Sequence, residues 1–249
     1  MSVSLRAALN SAAVTIPSLW RKSWWVLAPT IILWAVALSP LHAGLWSALA
    51  MLIALVASAV LYRNALATSD PDIAKAVLRL GGAWFLTLVF MLVLGSLLFV
   101  VFLSSAYAVA SAGTGFVSSD VRTWASAVDG RGRIVLAVIG IVGLASIAWA
   151  LTRVSLAAAS TVARGKLQVL SAWPMTRRLA WRLLLVRLAV AAPFAVLCAW
   201  AWRTSAGSGP IPAVGAWLLS IAAAAALIGV WLPLNTGLMT YIYQSRAGD

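Results

Sequence analysis

Six apolar segments follow one another along the chain, and each is about as long as the ~20 residues that a helix needs to cross a bilayer. They are Trp24–Leu41, Ala43–Tyr62, Ala83–Ala110, Ile134–Thr152, Leu183–Trp202 and Ala216–Asn235. The polar stretches between them are too short to fold as separate soluble domains. The pattern therefore predicts an all-α, polytopic membrane protein with six transmembrane helices in a single integral membrane domain, residues 1–249.

The N-terminal stretch, residues 1–22, is less apolar and has a different pattern. Its apolar side chains recur at helical spacing, with serine, asparagine and arginine between them. This pattern is typical of an amphipathic helix that lies in the membrane interface. We expect Pro17 to bend or end this helix just before Trp20, because proline removes a backbone hydrogen bond.

Two further stretches predict amphipathic helices on the same side. Asp70-Pro71-Asp72 is typical of a helix N-terminus, and Gly81-Gly82 is expected to end that helix. Paired carboxylates can also perform acid–base chemistry, but capping alone accounts for both aspartates. The third stretch runs from Arg153 to Leu179, where Thr176 is expected to cap the fifth transmembrane helix.

The order of interfacial helix, span, outer turn and span occurs three times, which predicts a threefold repeat. Pro17 is followed by Trp24 at the same spacing as Pro174 by Trp181. Aromatic residues are common at every membrane interface, so chance similarity is the alternative explanation. The repeat units would be residues 1–68, 69–159 and 160–249.

The Lys and Arg residues are distributed unequally between the two sides that six spans create. The richer side receives 14 of them: Arg6, Arg21, Lys22, Arg63, Lys75, Arg79, Arg153, Arg164, Lys166, Arg177, Arg178, Arg182, Arg187 and Arg246. The other side receives only Arg122, Arg131, Arg133 and Arg203. The positive-inside rule places the richer side, with both termini, in the cytoplasm. Abundant alanine and arginine favour a GC-rich bacterial genome, and hence a bacterial inner membrane.

The net charge of +13 would suggest nucleic acid as the partner of a soluble protein. Here only 9% of the residues are charged, against about a quarter in soluble domains, and the positive-inside rule explains the excess. A basic cytoplasmic side instead predicts phospholipid partners with anionic head groups. Another membrane protein or a second copy of the chain is a further candidate partner. The residues expected to make this contact are Arg164, Lys166, Arg177, Arg178 and Arg182.

Groups that carry catalysis are scarce in the sequence. There is no glutamate, none of the five aspartates falls inside an apolar segment, and Cys198 and His42 are the only residues of their types. The sequence therefore predicts no enzyme activity, no cofactor and no metal site. Asn235 and Arg187 are the candidates for a polar site inside the membrane. Arg187 can alternatively extend its side chain to the interface.

Small residues in the last apolar segment predict a helix–helix contact. Ala222 with Ala226, and Ala225 with Gly229, are spaced four residues apart and permit close approach of two backbones. We therefore expect this face to pack against another helix, within the chain or in a partner.

Short basic and aromatic motifs carry a resemblance to a known group. The motifs are Ala163–Lys166, Ser171–Arg177, Leu61–Leu66 and Gly237–Tyr243. They resemble segments of the membrane domain fused to some bacterial glycerophosphoryl diester phosphodiesterases, and of its stand-alone six-helix relatives. The metal ligands of the phosphodiesterase are not found in this sequence, so the resemblance implies an accessory domain near lipids and no catalysis.

Two functional hypotheses follow. The first is a non-enzymatic membrane scaffold or accessory subunit that uses the basic side to bind anionic lipid or a partner. The second is a carrier or flippase for a lipid-like or small neutral solute, suggested by prolines inside three spans (Pro29, Pro193 and Pro233). A carrier needs a cavity of ~300 Å³ or more at membrane depth. Its walls would contain Asn235 and some of Trp34, Trp149 and Trp231.

Overall fold

The structure is a computed structural model that describes residues 4–39, 44–68, 72–114, 128–170, 172–177, 179–205 and 213–247. It is 91% helix, and no strand occurs in these ranges, so the predicted all-α class is confirmed.

Ten helical segments make up the described chain. They are α1 (Leu5–Leu38), α2 (Gly44–Leu66), α3 (Ile73–Thr114), α4 (Gly130–Arg153), α5 (Ala157–Arg164), α6 (Ala172–Met175), α7 (Ala180–Ser205), α8 (Ala213–Ala224), a π-helical segment (Ala225–Trp231) and α9 (Leu232–Ala247). The segment α8, the π-helix and α9 follow one another without a break.

Five helices of the described residues are long and apolar enough to cross a membrane, which is compatible with a multi-pass membrane protein. They are Gly44–Leu66, Ile73–Ser111, Gly130–Arg164, Ala180–Thr204 and Val214–Arg246. Helix α1 is not among the five, because its polar N-terminal half and the adjacent Arg21 and Lys22 lower its hydropathy. The sixth span stays a prediction.

The chain forms two compact units, Met1–Trp84 with Arg153–Asp249, and Phe85–Thr152. The second unit contains most of α3 and nearly all of α4. Within it, the ring of Phe102 lies 3.7 Å from the point where a Cβ on Gly140 would sit, so this glycine allows the two helices to approach each other. No feature of the described residues tests the threefold repeat.

Helix α1 lies at the centre of the first unit. Its buried Leu19, Val26 and Leu27 form one apolar cluster with Leu61 of α2 and Ile228 of the π-helical segment. A second cluster joins its C-terminal end to α7 and α8 through Leu38, Ala201 and Ala223. Helix α1 therefore packs against other helices of the unit along most of its length.

The closest approach of α1 to α9 occurs at Gly237. A Cβ added to Gly237 would lie 3.0 Å from Thr15 Oγ1 and 3.1 Å from Ala12 Cα. Since Ala12 Cα is a backbone atom, a larger side chain would have to push the two helices apart. Only glycine fits at this crossing without such a shift.

Pro17 was predicted to bend or end the first helix, and it does not end it, because α1 continues through Pro17 to Leu38. Ala8 and Ala12 are buried before the proline, and Leu19 is buried after it. Packing on both sides of Pro17 therefore keeps the helix continuous, although one backbone hydrogen bond is lost. Residues 5–22 are therefore part of α1 and do not form a separate helix.

Of the small residues predicted to form a helix contact, Gly229 packs against α1, whereas Ala222 is exposed. A Cβ on Gly229 would lie 3.0 Å from Cζ2 of the Trp20 ring. The indole Nε1 of Trp20 donates a 2.6 Å hydrogen bond to the carbonyl of Gly229. The carbonyl of Gly229 belongs to the π-helical segment. Backbone hydrogen bonds in a π-helix join residues five apart instead of four.

Gly81-Gly82 does not end a helix, which corrects another prediction. Helix α3 runs through both glycines, and the space above them is filled by leucine side chains. A Cβ on Gly81 would lie 3.2 Å from Leu55 Cδ2, and one on Gly82 would lie 2.7 Å from Leu167 Cδ1. The glycines therefore allow close packing rather than a break.

The capping predictions have mixed outcomes. Asp72 caps α3, because its Oδ1 accepts a hydrogen bond from the Lys75 backbone N–H at 3.1 Å. That bond, with the Lys75 ammonium, holds the pKa of the Asp72 carboxyl below its usual value. Asp70 lies outside the described residues. Thr176 does not cap α7, which begins at Ala180.

Replacing Gly237 by alanine should destabilise the protein, because the new methyl group meets the backbone of Ala12. We expect the free energy of unfolding to fall by about 1–3 kcal/mol, as for other overpacked sites. Thermal unfolding of the detergent-purified protein measures the change. The matched control is Gly95→Ala, since no neighbouring atom lies within 4 Å of the added Cβ. Equal melting temperatures for G237A and the unmodified protein would contradict the role of this crossing.

Candidate functional site

Four of the five cations predicted to contact lipid or a partner are exposed. We call Arg164, Lys166, Arg177 and Arg182 the basic surface. Arg178 lies outside the described residues. Helices α5 and α6 and their connections carry three of the four cations, while Arg182 is in the first turn of α7. No hydrogen bond of Arg182 to another described residue is found.

Arg164 is held in place by two neutral side chains. Its Nε donates to the Tyr243 hydroxyl of α9 at 3.3 Å, and its Nη1 donates to Gln168 Oε1 at 3.1 Å. The backbone N–H of Gln168 in turn donates to Thr161 Oγ1 at 3.1 Å. Because both partners are neutral, neither offsets the positive charge of the guanidinium that they help to position.

The chain turns sharply after Arg164, and this turn brings in another cation. Gly165 ends α5 in the left-handed conformation with φ of 60°, a position that favours glycine. A Cβ there would lie 3.2 Å from Nη1 of Arg79. The guanidinium of Arg79 therefore reaches over Gly165, beside Arg164 and Lys166. Arg79 was not among the predicted contact residues, because its distance along the chain from Gly165 gives no sign of this approach.

A second cationic cluster is organised around Trp173. The guanidinium of Arg153 is 7% exposed and lies 4.9 Å from the centroid of the Trp173 ring. The Thr176 hydroxyl lies 3.1 Å from the carbonyl oxygens of both Arg153 and Trp173, and can donate to either. Arg177 is near enough to Arg153 for the two like charges to repel each other.

Helix α5 separates the two clusters. Its eight residues extend over about 12 Å, at 1.5 Å per residue. Arg153 precedes this helix and Arg164 ends it, so the cations occupy both ends of one short element.

An open groove of about 470 Å³ adjoins Arg164. Its walls are formed by Leu66, Ala67, Thr68, Val162, Ala163, Arg164 and Gly165. Leu66, Ala67, Val162 and Ala163 contribute apolar side chains, but more of the groove's exposed surface is polar than apolar. The hydroxyl oxygen of Thr68 is buried and has no hydrogen-bond partner among the described residues. We call this feature the Arg164 groove.

The two residues predicted to form an intramembrane polar site are placed differently. Arg187 is partly buried in α7 and is near enough to the Tyr62 hydroxyl of α2 for an electrostatic interaction. Asn235 is in α9, and its Oδ1 is buried without a hydrogen-bond partner in the described part of the chain. No contact between Arg187 and Asn235 is found.

The cavity expected for a carrier was predicted to have Asn235 in its walls. A second cavity, of about 150 Å³, lies between α1, α2 and α9. Neither this cavity nor the Arg164 groove has Asn235, Trp34, Trp149 or Trp231 in its walls. Trp231 instead packs on Phe194, with ring centroids 5.9 Å apart.

Comparison with known proteins adds no relative. No family model, curated protein or solved structure matches the chain. The resemblance to the membrane domain of glycerophosphoryl diester phosphodiesterases therefore stays a prediction from the sequence.

Replacing Trp173 by leucine should destabilise the protein, because the ring supports the buried guanidinium of Arg153. We expect a loss of about 2 kcal/mol in the free energy of unfolding, from the cation–π contact and the lost volume together. The control is Trp181→Leu, since the Trp181 side chain is 60% exposed. Denaturant titration in detergent compares the two variants, and equal losses would contradict the supporting role of Trp173.

Proposed function

We propose that this protein is a non-enzymatic membrane scaffold or accessory subunit that contacts anionic phospholipid through the basic surface. The observation that carries the proposal is the Arg164 groove, where a guanidinium hydrogen-bonded to two neutral side chains lies beside the apolar side chains of Leu66, Val162 and Ala163. A phosphate bound there would accept charge-assisted hydrogen bonds from Arg164. The exposed Lys166 and the neighbouring Arg79 would add further attraction.

The apolar side chains of the groove support a lipid rather than a free anion as the ligand. Leu66, Val162 and Ala163 line the groove next to Arg164. An acyl chain or glycerol backbone would cover these side chains while its phosphate meets the guanidinium. A soluble anion has no group to cover these side chains.

We propose that α1 crosses the membrane in addition to the five helices named above, which gives six spans. Helix α1 runs antiparallel to the last apolar helix, Val214–Arg246, which is long and apolar enough to cross a membrane. Ala12 meets Gly237 near one end, and the Leu38 carbonyl accepts a 3.0 Å hydrogen bond from Ser220 near the other. Because α1 contacts the last apolar helix near both of its ends, the two helices would cross the same membrane. At about 51 Å, α1 is also longer than the ~30 Å hydrocarbon core.

The orientation completes the proposed topology. With six spans, the positive-inside rule puts both termini and the basic surface in the cytoplasm, where anionic lipids are met. Composition favours a bacterial inner membrane. A partner membrane protein, or a second copy of the chain, would then pack against the exposed apolar helices.

The alternative is a carrier or flippase for a lipid-like or small neutral solute. The observation that favours it is a pair of buried polar atoms without partners in the described residues, Trp34 Nε1 and Asn235 Oδ1. Buried polar groups in a membrane protein mark functional paths more often than surface groups do. The carrier hypothesis requires a conformation of the protein with a larger cavity at Asn235.

Replacing Arg164, Lys166, Arg177 and Arg182 by glutamine should weaken the recovery of anionic phospholipid after gentle solubilisation. Each cation near a charged membrane surface contributes roughly 1 kcal/mol, so we expect retention to fall at least about tenfold. Mass spectrometry of the lipids that co-purify with the full-length protein measures the change.

The matched control replaces Arg122, Arg131, Arg133 and Arg203 by glutamine, which removes the same charge from the opposite side of the proposed topology. This control should retain anionic lipid as well as the unmodified protein does. If both variants lose lipid equally, overall charge and not the basic surface determines retention, and the proposal fails.

A further inference from the structure

Two adjacent glycines of α3 join the middle of α2 to the segment of residues 165–170, which follows α5. A Cβ on Gly81 would lie 3.2 Å from Leu55 Cδ2, and one on Gly82 would lie 2.7 Å from Leu167 Cδ1. Leu55 is the middle residue of α2, since eleven residues separate it from Gly44 and eleven from Leu66. The side chain of Leu167 therefore lies against the same turn of α3 as the side chain at the midpoint of α2.

This arrangement indicates the depth of Leu167. Helix α2 is long and apolar enough to cross a membrane. Its midpoint is about 16 Å along the helix axis from Leu66. The hydrocarbon core is about 30 Å thick, so the midpoint of a spanning helix lies well inside it. Because Leu55 and Leu167 contact neighbouring residues of one helix, the side chain of Leu167 also lies within the layer that α2 crosses.

The apolar side chains near Leu167 are exposed. Leu167 is 47% exposed, Leu170 is 67% exposed, and Leu78 of α3, one turn before the second glycine, is 75% exposed. Lys166 precedes Leu167 in the chain, and Arg79 follows Leu78. Long cationic side chains beside apolar ones can extend to the head groups of a membrane. Exposed leucines with cations beside them therefore suit the boundary between acyl chains and head groups.

The backbone of this non-helical segment has hydrogen-bond partners within the protein. Such backbone is tolerated at membrane depth only where its polar groups are paired. The Gln168 N–H donates to Thr161 Oγ1 at 3.1 Å. Ser160 Oγ, which also lies near a carbonyl of its own helix, is 3.3 Å from the Gln168 carbonyl oxygen. The Leu170 carbonyl accepts a 3.0 Å hydrogen bond from the Trp173 N–H. Hydroxyls of α5 thus take the place that water has in an exposed loop.

We propose that residues 165–170 enter the membrane, with Leu167 and Leu170 among the acyl chains of the leaflet next to the basic surface. The acyl chains, and not a protein partner, cover these leucines, because Leu167 lies at a depth where lipid surrounds the protein. Arg164 and Lys166 then lie at the level of the phosphates. The proposal rests on the membrane-spanning arrangement of the proposed function, and it identifies what sets the depth of the basic surface.

Spin labelling of the full-length protein in nanodiscs measures the depth of Leu170. In a background with Cys198 replaced by alanine, Leu170→Cys, Leu52→Cys and Gln244→Cys would each be labelled. Leu52 is 62% exposed on α2 and is the embedded reference, whereas Gln244 is exposed near the end of α9 and is the aqueous reference. Oxygen is enriched in hydrocarbon and a nickel chelate in water. L170C should resemble L52C, with a label depth of about 5–10 Å below the phosphates.

A charge at the same position gives a second measurement that needs no label. Leu170→Asp should lower the melting temperature in nanodiscs by at least about 4 °C, because a carboxylate is costly in hydrocarbon. If Leu170 faced water, the same substitution would have almost no effect on stability. Gln244→Asp is the matched control, since it adds the same charge at an exposed position near the end of α9, and it should leave the melting temperature unchanged.

Nanodiscs made only of phosphatidylcholine separate this proposal from the proposed function, because they contain no anionic lipid. An aqueous label in L170C beside an embedded label in L52C would overturn the insertion, and so would an unchanged melting temperature for L170D. The leucines would then be available to a protein partner, and the retention of anionic lipid would be unaffected. Aqueous labels in both variants would overturn the insertion together with the six spans. An embedded label in L170C supports the insertion even if the basic surface does not retain anionic lipid.

Discussion

The close contact of α1 with the last helix is the constraint on which the first unit depends. Inside a bilayer, helices gain no hydrophobic stabilisation by leaving lipid for one another, so close packing and polar contacts hold them together. Gly237 lets the backbones of α1 and α9 approach, and Trp20 donates to the carbonyl of Gly229. Near the other end, Ser220 donates to the Leu38 carbonyl. These contacts fix α1 at three levels along the last helix.

The candidate site depends on this arrangement. The Arg164 groove lies between the end of α2 and the end of α5. The hydrogen bond from Arg164 to Tyr243 ties α5 to α9, and hence to the same bundle. A shift of α1 would therefore alter the groove through α2 and α9.

The all-α class could be predicted from the sequence, because the length of an apolar segment is visible in the chain without knowledge of tertiary contacts. The prediction of separate interfacial helices failed at Pro17 and at Gly81, where tertiary packing keeps a helix continuous in spite of a residue that disfavours it. The position of α9 against α1 could not be inferred from the pattern of α1 alone.

The candidate site was predictable only in part. The exposure of Arg164 and Lys166 could be predicted, because moving a charged side chain from water into a protein interior costs a large amount of free energy. The burial of Arg153 on Trp173 and the approach of Arg79 to Gly165 join residues that are far apart in sequence. Periodicity contains no information about such contacts. The same reason explains why the groove wall at Thr68 was not anticipated.

The topology of α1 can be measured most directly by labelling single cysteines in intact cells. In a background with Cys198 replaced by alanine, Ser4→Cys and Leu45→Cys would be treated separately with a membrane-impermeant thiol reagent. If α1 crosses the membrane with its N-terminus in the cytoplasm, the cysteine at position 45 is labelled in intact cells and that at position 4 only after the cells are opened. Labelling of both positions from the same side would contradict the account, because α1 would then not cross the membrane beside the last helix.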